Sequence, residues 1–216
     1  MKEQTIETKK TARYYTLGAL SEKTRTVWFV CHGYGQLANY FLRNFKSLEN
    51  EKTFIISPEG FHRYYLNGFS GRVGASWMTK EDRLNDIADY VAYLDQLYHK
   101  VFSSVNRNNL KVNLLGFSQG GATATRWACQ GISKIDNLIL WAAVYPPDIN
   151  FDLDVSTLNN LNFKLVIGND DEFISENAIL ENVNLLDQKG INYELIRYGG
   201  THKIDKETLI DLSKTI

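Results

Sequence analysis

The chain has 216 residues, of which 44% are hydrophobic and 12% aromatic, and its 24 basic and 25 acidic residues give a formal net charge of -1. This length and composition predict one compact domain with a sizeable core, and they exclude a disordered chain. Since the sequence contains no dense block of Lys and Arg, neither nucleic acid nor an acidic membrane is expected as a main partner.

The first ten residues, MKEQTIETKK, are polar and lack the apolar segment of a signal peptide. No later stretch reaches the length needed to cross a bilayer, so we expect a cytoplasmic protein without a transmembrane segment. The two cysteines, Cys31 and Cys129, lie in a predicted strand and a predicted helix. Buried free thiols are expected for them, in preference to a disulfide.

Short apolar runs alternate with segments of helical periodicity along the whole chain. The runs are rich in β-branched and aromatic residues and are mostly bounded by Gly, Pro, Asn or Asp, which is typical of strands. The predicted strands cover residues 26–31, 53–57, 112–116, 138–144, 163–168 and 193–198, and residues 12–18 are expected to add an antiparallel edge strand.

Apolar residues spaced three and four apart between Leu84 and Val101 predict a long helix, with Thr79 and Asp82 as its capping box. Further helices are expected at 119–130, at 175–189 with Gly190 as the stop, and from Asp205 to the end. Alternating strands and helices favour an α/β domain, residues 1–216, in which helices cover both faces of a mainly parallel sheet.

A single serine lies at the junction between the predicted strand at 112–116 and the helix that follows. Gly116-Phe117-Ser118-Gln119-Gly120 is a G-x-S-x-G motif, and a strand turning sharply into a helix has no room for side chains two residues from the serine. The turn exposes the hydroxyl at a helix N-terminus. Because small residues also occur together in ordinary turns, the motif predicts a nucleophile only in this context.

A serine nucleophile requires a base and a group that orients the base. Of the four histidines, only His202 lies late in the chain on a loop after a strand, as the order Ser, acid, His requires. His99 and His62 are expected to have packing or surface roles. For the acid, Asp171 ranks before Asp170 in the loop after 163–168, and Asp148 ranks third; Asp-Asn clusters are also ordinary turn residues.

An oxyanion needs two donors. The backbone N–H of Gln119, which follows the nucleophile, is one candidate. The other is the N–H of Tyr34 in HGYG, residues 32–35, where Gly33 and Gly35 let the backbone approach a substrate. Alone, HGYG would be read as a plain strand-to-loop turn.

The strings HGYG, SPEG, SW, GFSQGG, GNDD and YGGTH occur in this order over nearly the whole chain. In this respect the chain resembles the α/β-hydrolase fold and, within it, the phospholipase/carboxylesterase family that includes the acyl-protein thioesterases. The resemblance implies Ser118 as nucleophile, His202 as base, the amides of Tyr34 and Gln119 as the oxyanion hole, and, from the pattern G-x-x-D counted from Gly168, Asp171 as the acid.

The chain departs from that family pattern in two places. Glu172 and Phe173 stand where the family usually has a proline and small apolar residues, and Met78 and Thr79 stand where an aromatic residue and an aspartate are common. Both departures lie near the acyl pocket of the resembled enzymes, so the resemblance implies the fold and mechanism more firmly than the substrate.

The irregular, aromatic-rich stretch 58–77 is a candidate wall of the substrate pocket, although it could equally be a surface loop held by its own aromatic residues. If it walls the pocket, Phe61, Tyr64, Tyr65 and Trp77 would supply an apolar lining and Arg72 an anchor for a polar or anionic part of the substrate. The spacings between Ser118, Asp171 and His202 leave no room there for a lid domain.

These observations predict a serine esterase without metal or organic cofactor, acting on small to medium acyl esters as a monomer or homodimer. Three alternatives stay open. They are a thioesterase or lysophospholipase for longer acyl chains, a lactone hydrolase of the dienelactone type, which usually carries cysteine at the position of Ser118, and a binding protein on a hydrolase scaffold.

Overall fold

A computed structural model describes residues 1–146 and 151–216. Nine strands are described, with these bounds: β1 Tyr14–Leu17, β2 Thr26–Cys31, β3 Thr53–Pro58, β4 His62–Tyr65, β5 Val73–Ser76, β6 Lys111–Phe117, β7 Asn137–Trp141, β8 Asn162–Gly168 and β9 Glu194–Tyr198. Seven of them form one sheet in the order β1-β3-β2-β6-β7-β8-β9, and β4 pairs with β5 as a separate hairpin. Only β1 is antiparallel to its neighbour in the large sheet.

Helices connect the parallel strands. Their bounds are α1 Ala38–Phe41, α2 Arg83–Phe102, α3 Gln119–Gln130, α4 Phe151–Asn159, α5 Glu176–Gln188 and α6 Lys206–Thr215, and short 3₁₀ segments cover Leu42–Leu48 and Arg107–Asn109. In the described part of the chain, no helix has both the length and the apolar character needed to span a membrane. This is the α/β architecture that the sequence predicts.

The sheet separates two apolar cores, because consecutive strand residues point to opposite faces. On one face, Val27, Phe29 and Leu114 pack with residues of α2 and α3 such as Leu94 and Trp127. On the other, Trp28, Val30 and Leu115 pack against α1, the 3₁₀ segment that follows it and α6. The near-continuous apolar runs of β2 and β6 are thus explained by burial on both faces.

Several predicted elements agree closely with the structure, whereas others were predicted wrongly or not at all. The helix predicted at 119–130 matches α3, and Ser175 and Asp205 cap α5 and α6 through their side chains. The predicted capping box of the long helix is wrong: Asp82 adopts a left-handed conformation and makes no side-chain cap hydrogen bond. The prediction also omitted α1 and α4.

The stretch 58–77 is more ordered than its composition suggested. It contains the hairpin β4–β5, in which His62 lies opposite Ser76 and Tyr65 opposite Val73. A short bridge between Gln36 and Ala75 joins this hairpin to the loop after β2. The two cysteines are both free; Cys31 is buried in β2 and Cys129 is partly buried in α3.

The parallel strands place the candidate residues at one edge of the sheet. Cys31, Phe117, Gly168 and Tyr198 end β2, β6, β8 and β9, and parallel strands end at the same edge. The loops that follow carry Tyr34, Ser118, Asp171 and His202. The topology therefore gathers these residues although more than 160 positions separate the first from the last.

Candidate active site

Ser118 lies on a strained turn between β6 and α3. Its φ of 53° and ψ of -121° fall outside the regions favoured by residues that carry a Cβ atom. The turn is held by two backbone hydrogen bonds, from Ser118 N to Trp141 O at 3.0 Å and from Gly121 N to Ser118 O at 2.8 Å. A strained serine between a strand and a helix is the backbone geometry typical of a G-x-S-x-G turn.

Two flanking glycines are required by close packing. A Cβ atom on Gly116 would lie 2.2 Å from the carbonyl oxygen of Gly120, and one on Gly120 would lie 2.2 Å from the carbonyl oxygen of Cys31. Backbone atoms cannot move away as a flexible side chain can. The glycines thus allow the start of α3 to contact both the end of β6 and the end of β2.

His202 and Asp171 form a hydrogen-bonded pair. His202 Nδ1 lies 3.0 Å from Asp171 Oδ1 and 2.9 Å from Asp171 Oδ2. The Asp171 side chain is fully buried and that of His202 is 12% exposed. Asp171 Oδ1 also accepts hydrogen bonds from the backbone N–H groups of Phe173 and Ile174, at 2.9 and 3.1 Å. These two backbone hydrogen bonds orient the Asp171 carboxylate independently of its bond to His202.

The alternative acids lie elsewhere. Asp170 is exposed, and its backbone N–H donates to Gly200 O at 2.9 Å while its side chain does not reach His202. Asp148 lies outside the described residues. Among the candidates that the structure describes, only Asp171 is brought to His202.

The His202 ring lies close to the turn that carries Ser118. The His202 ring packs against Phe117, the residue before Ser118, with 5.0 Å between ring centroids. In the described part of the chain, no hydrogen bond joins Ser118 Oγ to His202. Catalytic hydrogen bonds are often long or poorly aligned outside the substrate complex.

The two predicted oxyanion donors have free backbone N–H groups. Within the described residues, neither the amide of Tyr34 nor that of Gln119 donates to a protein acceptor. Gln119 is the first residue of α3, where the N–H has no partner inside the helix. The contact of Gly120 with the carbonyl oxygens of Cys31 and His32 brings the loop containing Tyr34 to this helix end. Both donors are thus available to an anion.

The side chain of Gln119 has a role that the sequence did not indicate. Its Nε2 donates to Ser76 Oγ and to Met78 O, both at 3.0 Å, and its Oε1 accepts from Trp77 N–H at 3.2 Å. The start of α3 is therefore bound to the segment that follows β5. This network fixes the position of the Gln119 backbone, whose N–H is the candidate donor.

His32 is a second supporting residue that the prediction missed. It is fully buried, its Nδ1 lies 2.8 Å from Gly33 O, and its Nε2 accepts from Gly60 N–H at 3.0 Å. Because a backbone N–H can only donate, the ring proton is on Nδ1 and the imidazole is neutral. Burial lowers the pKa of His32 to about 4, in agreement. The sequence feature that could have indicated this supporting role is the position of His32 at the start of HGYG.

The predicted pocket residues are distributed over several environments. Trp77 is fully buried, stacks on His32 with centroids 5.0 Å apart, and donates from Nε1 to His32 O. Phe61 packs on Tyr93 of α2, also at 5.0 Å. Both residues were expected to line an open pocket. Trp77 instead packs beneath the loop of Tyr34, and Phe61 packs the hairpin against α2. Tyr65 remains 49% exposed.

Arg72 lines an open groove beside the candidate site. The groove measures about 640 Å³ and lies between the α1 region and the hairpin turn, lined by Gly35, Gln36, Leu37, Tyr40, Phe41, Asn44, Gly71, Arg72 and Val73. Gly35 is the next residue after Tyr34, whose ring lies over Tyr64 with centroids 5.4 Å apart. No group of His, Cys, Asp and Glu residues suited to a metal ion occurs among the described residues.

The fold and this site define the chain as a member of the α/β-hydrolase class. Residues 18–216 match the phospholipase/carboxylesterase family, and the chain belongs to that family. No curated protein matches the chain. The family match supports a serine esterase or thioesterase.

Solved structures show the same fold. Acyl-protein thioesterase 2 from Zea mays aligns with a TM-score of 0.71 at 16% identity, over 95% of this chain and 97% of that one. A carboxylesterase from Mesorhizobium loti aligns with a TM-score of 0.71 at 14% identity, over 94% and 93%. A Bacillus cereus carboxylesterase gives a TM-score of 0.66 at 14% identity, over 95% of each chain. At these identities the likeness concerns the fold alone.

Proposed function

We propose that the chain is a serine hydrolase that cleaves carboxylic esters with small to medium acyl groups through Ser118, His202 and Asp171. The observation that carries the proposal is the buried Asp171 carboxylate bonded to His202 Nδ1, next to a serine held at φ 53° on a strand-to-helix turn. A buried carboxylate with this partner keeps Nε2 of the imidazole free to accept a proton.

In the proposed reaction, Ser118 Oγ attacks the ester carbonyl carbon while His202 Nε2 takes the hydroxyl proton. The carbonyl oxygen gains negative charge and receives hydrogen bonds from the amides of Tyr34 and Gln119. His202 then gives its proton to the departing alkoxide, which leaves an acyl-serine. Water, deprotonated by His202, attacks this ester, and the proton returns to Ser118 as the acid is released.

The groove beside Tyr34 is the proposed binding site for one end of the substrate. It is open to solvent, Arg72 is among its lining residues, and none of those residues carries a carboxylate. These features support a substrate whose far end is polar or anionic. The exposed ring of Tyr65 lies on the same hairpin.

Labelling with a fluorophosphonate tests the nucleophile. The wild-type protein should be labelled once, at Ser118, and both Ser118→Ala and His202→Ala should lower the labelling rate by several orders of magnitude, because the three side chains act as a unit. Ser47→Ala and His99→Ala, which change exposed residues, are matched controls and should label normally. Labelling that persists in Ser118→Ala would place the nucleophile elsewhere.

A series of p-nitrophenyl esters and acyl-thioesters of increasing acyl length separates the candidate functions. A preference for short to medium oxygen esters supports the proposal, and an optimum at long acyl thioesters supports the thioesterase alternative. A wild-type protein that neither reacts with fluorophosphonate nor hydrolyses any member of the series would instead be a binding protein on this scaffold.

A further inference from the structure

Hydrogen bonds from consecutive residues connect the loop after β8 to the loop after β9, beyond the ends of the two strands. Asn169 N–H donates to Tyr198 O and Asp170 N–H donates to Gly200 O, both at 2.9 Å. The next residue, Asp171, binds the ring of His202. These bonds therefore fix the loop that carries the acid and the loop that carries the base relative to each other.

Glu172, the residue after Asp171, also contacts the loop that carries His202. Its Oε2 accepts a hydrogen bond from the backbone N–H of His202 at 3.1 Å. Bonds to its own backbone N–H and to that of His202 lower the pKa of the Glu172 carboxyl, so the group is ionised at neutral pH. His202 is thus held by two adjacent carboxylates, one on its ring and one on its main chain.

Phe173 holds the same histidine from the side. Its ring meets the imidazole edge-on, with centroids 4.7 Å apart and an interplanar angle of 64°, and Phe117 packs on the imidazole at 5.0 Å. The Phe173 side chain is 74% exposed, so burial in the core does not explain its position. The contacts with these two aromatic rings disfavour rotation of the imidazole toward either of them.

We propose that Glu172 and Phe173 are positioning residues that hold the main chain and the ring of His202 in the geometry needed to deprotonate Ser118. The inference rests on the proposed function. These are two of the positions at which the chain departs from the family pattern, where a proline and small apolar residues would offer neither a carboxylate nor an aromatic ring. Displacement of a catalytic group by about 1 Å can lower a rate by about 10²-fold, so such supports affect catalysis strongly.

Glu172→Ala and Glu172→Gln test the hydrogen bond. Glu172→Ala should lower kcat for a short p-nitrophenyl ester and the rate of fluorophosphonate labelling together, by roughly tenfold or more, with little change in KM. Glu172→Gln keeps an oxygen that can accept the bond and should recover most of the loss. Glu181→Ala and Glu181→Gln, which alter an exposed glutamate of α5, are matched controls and should behave as wild type.

Phe173→Ala and Phe173→Leu test the ring contact in the same assays. Phe173→Ala should lower kcat and the labelling rate without raising KM, and Phe173→Leu should lie between it and the wild type. A change confined to KM would overturn the positioning role and make Phe173 a substrate contact. Wild-type rates in Glu172→Ala, or equal losses in Glu172→Ala and Glu172→Gln, would overturn the role of the Glu172 hydrogen bond.

A spectroscopic measurement separates this inference from the proposed function. The proton shared between His202 Nδ1 and Asp171 should give a low-field proton resonance, which His202→Ala removes. Glu172→Ala should broaden this resonance through faster exchange with water, and Glu172→Gln should preserve it. An unchanged resonance in Glu172→Ala contradicts the inference whether or not the wild-type protein hydrolyses esters, and failure of wild-type labelling alone contradicts only the proposed function.

Discussion

Asp170 and Asp171 are neighbours in the chain with identical side chains, yet they occupy opposite environments. The Asp171 carboxylate is fully buried and receives hydrogen bonds from His202, Phe173 and Ile174, whereas Asp170 is exposed. The Asp170 main chain is paired with the loop that carries the base, since its N–H donates to Gly200 O. At the scale of single residues, the proposed acid is therefore distinguished by its burial and by the hydrogen bonds that its carboxylate accepts.

Asp171→Asn should leave the fold intact and lower kcat by about 10²- to 10⁴-fold, because the imidazole loses the carboxylate that orients it and stabilises its protonated form. Asp170→Asn is the matched control and should have little effect. Steady-state kinetics on a short p-nitrophenyl ester, with circular dichroism to verify folding, measure both. A larger loss in Asp170→Asn would contradict the assignment.

At the scale of elements, the loop after β2 is held by a buried imidazole. His32 binds Gly60 N–H, and Trp77, at the end of the hairpin, both stacks on the His32 ring and donates to the His32 carbonyl oxygen. Three separate segments, the loop after β2, the loop after β3 and the end of β5, thus depend on a neutral His32. Protonation would replace the acceptor for Gly60 N–H with a second donor and place a charge in the core.

This arrangement predicts that stability falls in mild acid. Burial lowers the pKa of His32 from 6.5 to about 4, so the unfolded chain binds the proton more readily than the folded protein. The neutral His32 contributes its full stabilisation of the folded protein above its pKa in the unfolded chain. This contribution is lost as the pH falls through the pKa of His32 in the folded protein. The resulting loss in the free energy of unfolding is on the order of 3 kcal/mol, at about 1.36 kcal/mol per pKa unit.

Urea unfolding at several pH values between about 7 and 4 measures this effect. His32→Gln, whose side chain cannot take up a proton, should be less stable than the wild type near neutral pH but should lose less stability on acidification. Equal pH slopes for the two proteins would assign the acid sensitivity to other groups.

At the scale of the whole molecule, the candidate site lies at the carboxyl edge of one open sheet. Within the described residues, the strands and helices after β6 follow one another without an inserted domain, and the groove beside Tyr34 is open. The ring of Tyr34 is itself 61% exposed beside it. A site of this kind is accessible to single substrate molecules without the opening of a cover.

Hydrolysis of short and medium esters should therefore follow simple saturation with monomeric substrate. Rates measured across the micelle concentration of a medium-chain ester check this, since an enzyme that requires a lipid interface accelerates sharply at that point. A sharp increase would contradict the proposed preference for monomeric esters, and a soluble acetate ester, which forms no micelles, is the matched control.

Much of this architecture follows from local physical chemistry. Short β-branched runs alternating with helical periodicity predict the parallel sheet and its helices, and the glycines around Ser118 predict a sharp turn, because both depend on neighbouring residues. The hairpin at β4–β5 was not predicted, since its strands are short and carry no clear alternation of apolar and polar residues. The burial of Trp77 and the packing of Phe61 were missed because both depend on contacts with distant segments.

The sequence by itself determined the fold class, the position of Ser118 and the choice of His202 as the candidate base, because each depends on local patterns or on order along the chain. Only the tertiary structure decided which aspartate meets His202, why His32 is neutral, and how Glu172 and Phe173 hold the imidazole. Those contacts join segments about 30 residues apart or more, and their register is set by the pairing of β8 with β9 and by packing at the sheet edge. No pattern of neighbouring residues specifies such pairings; they form only when the parallel strands bring their carboxyl ends together.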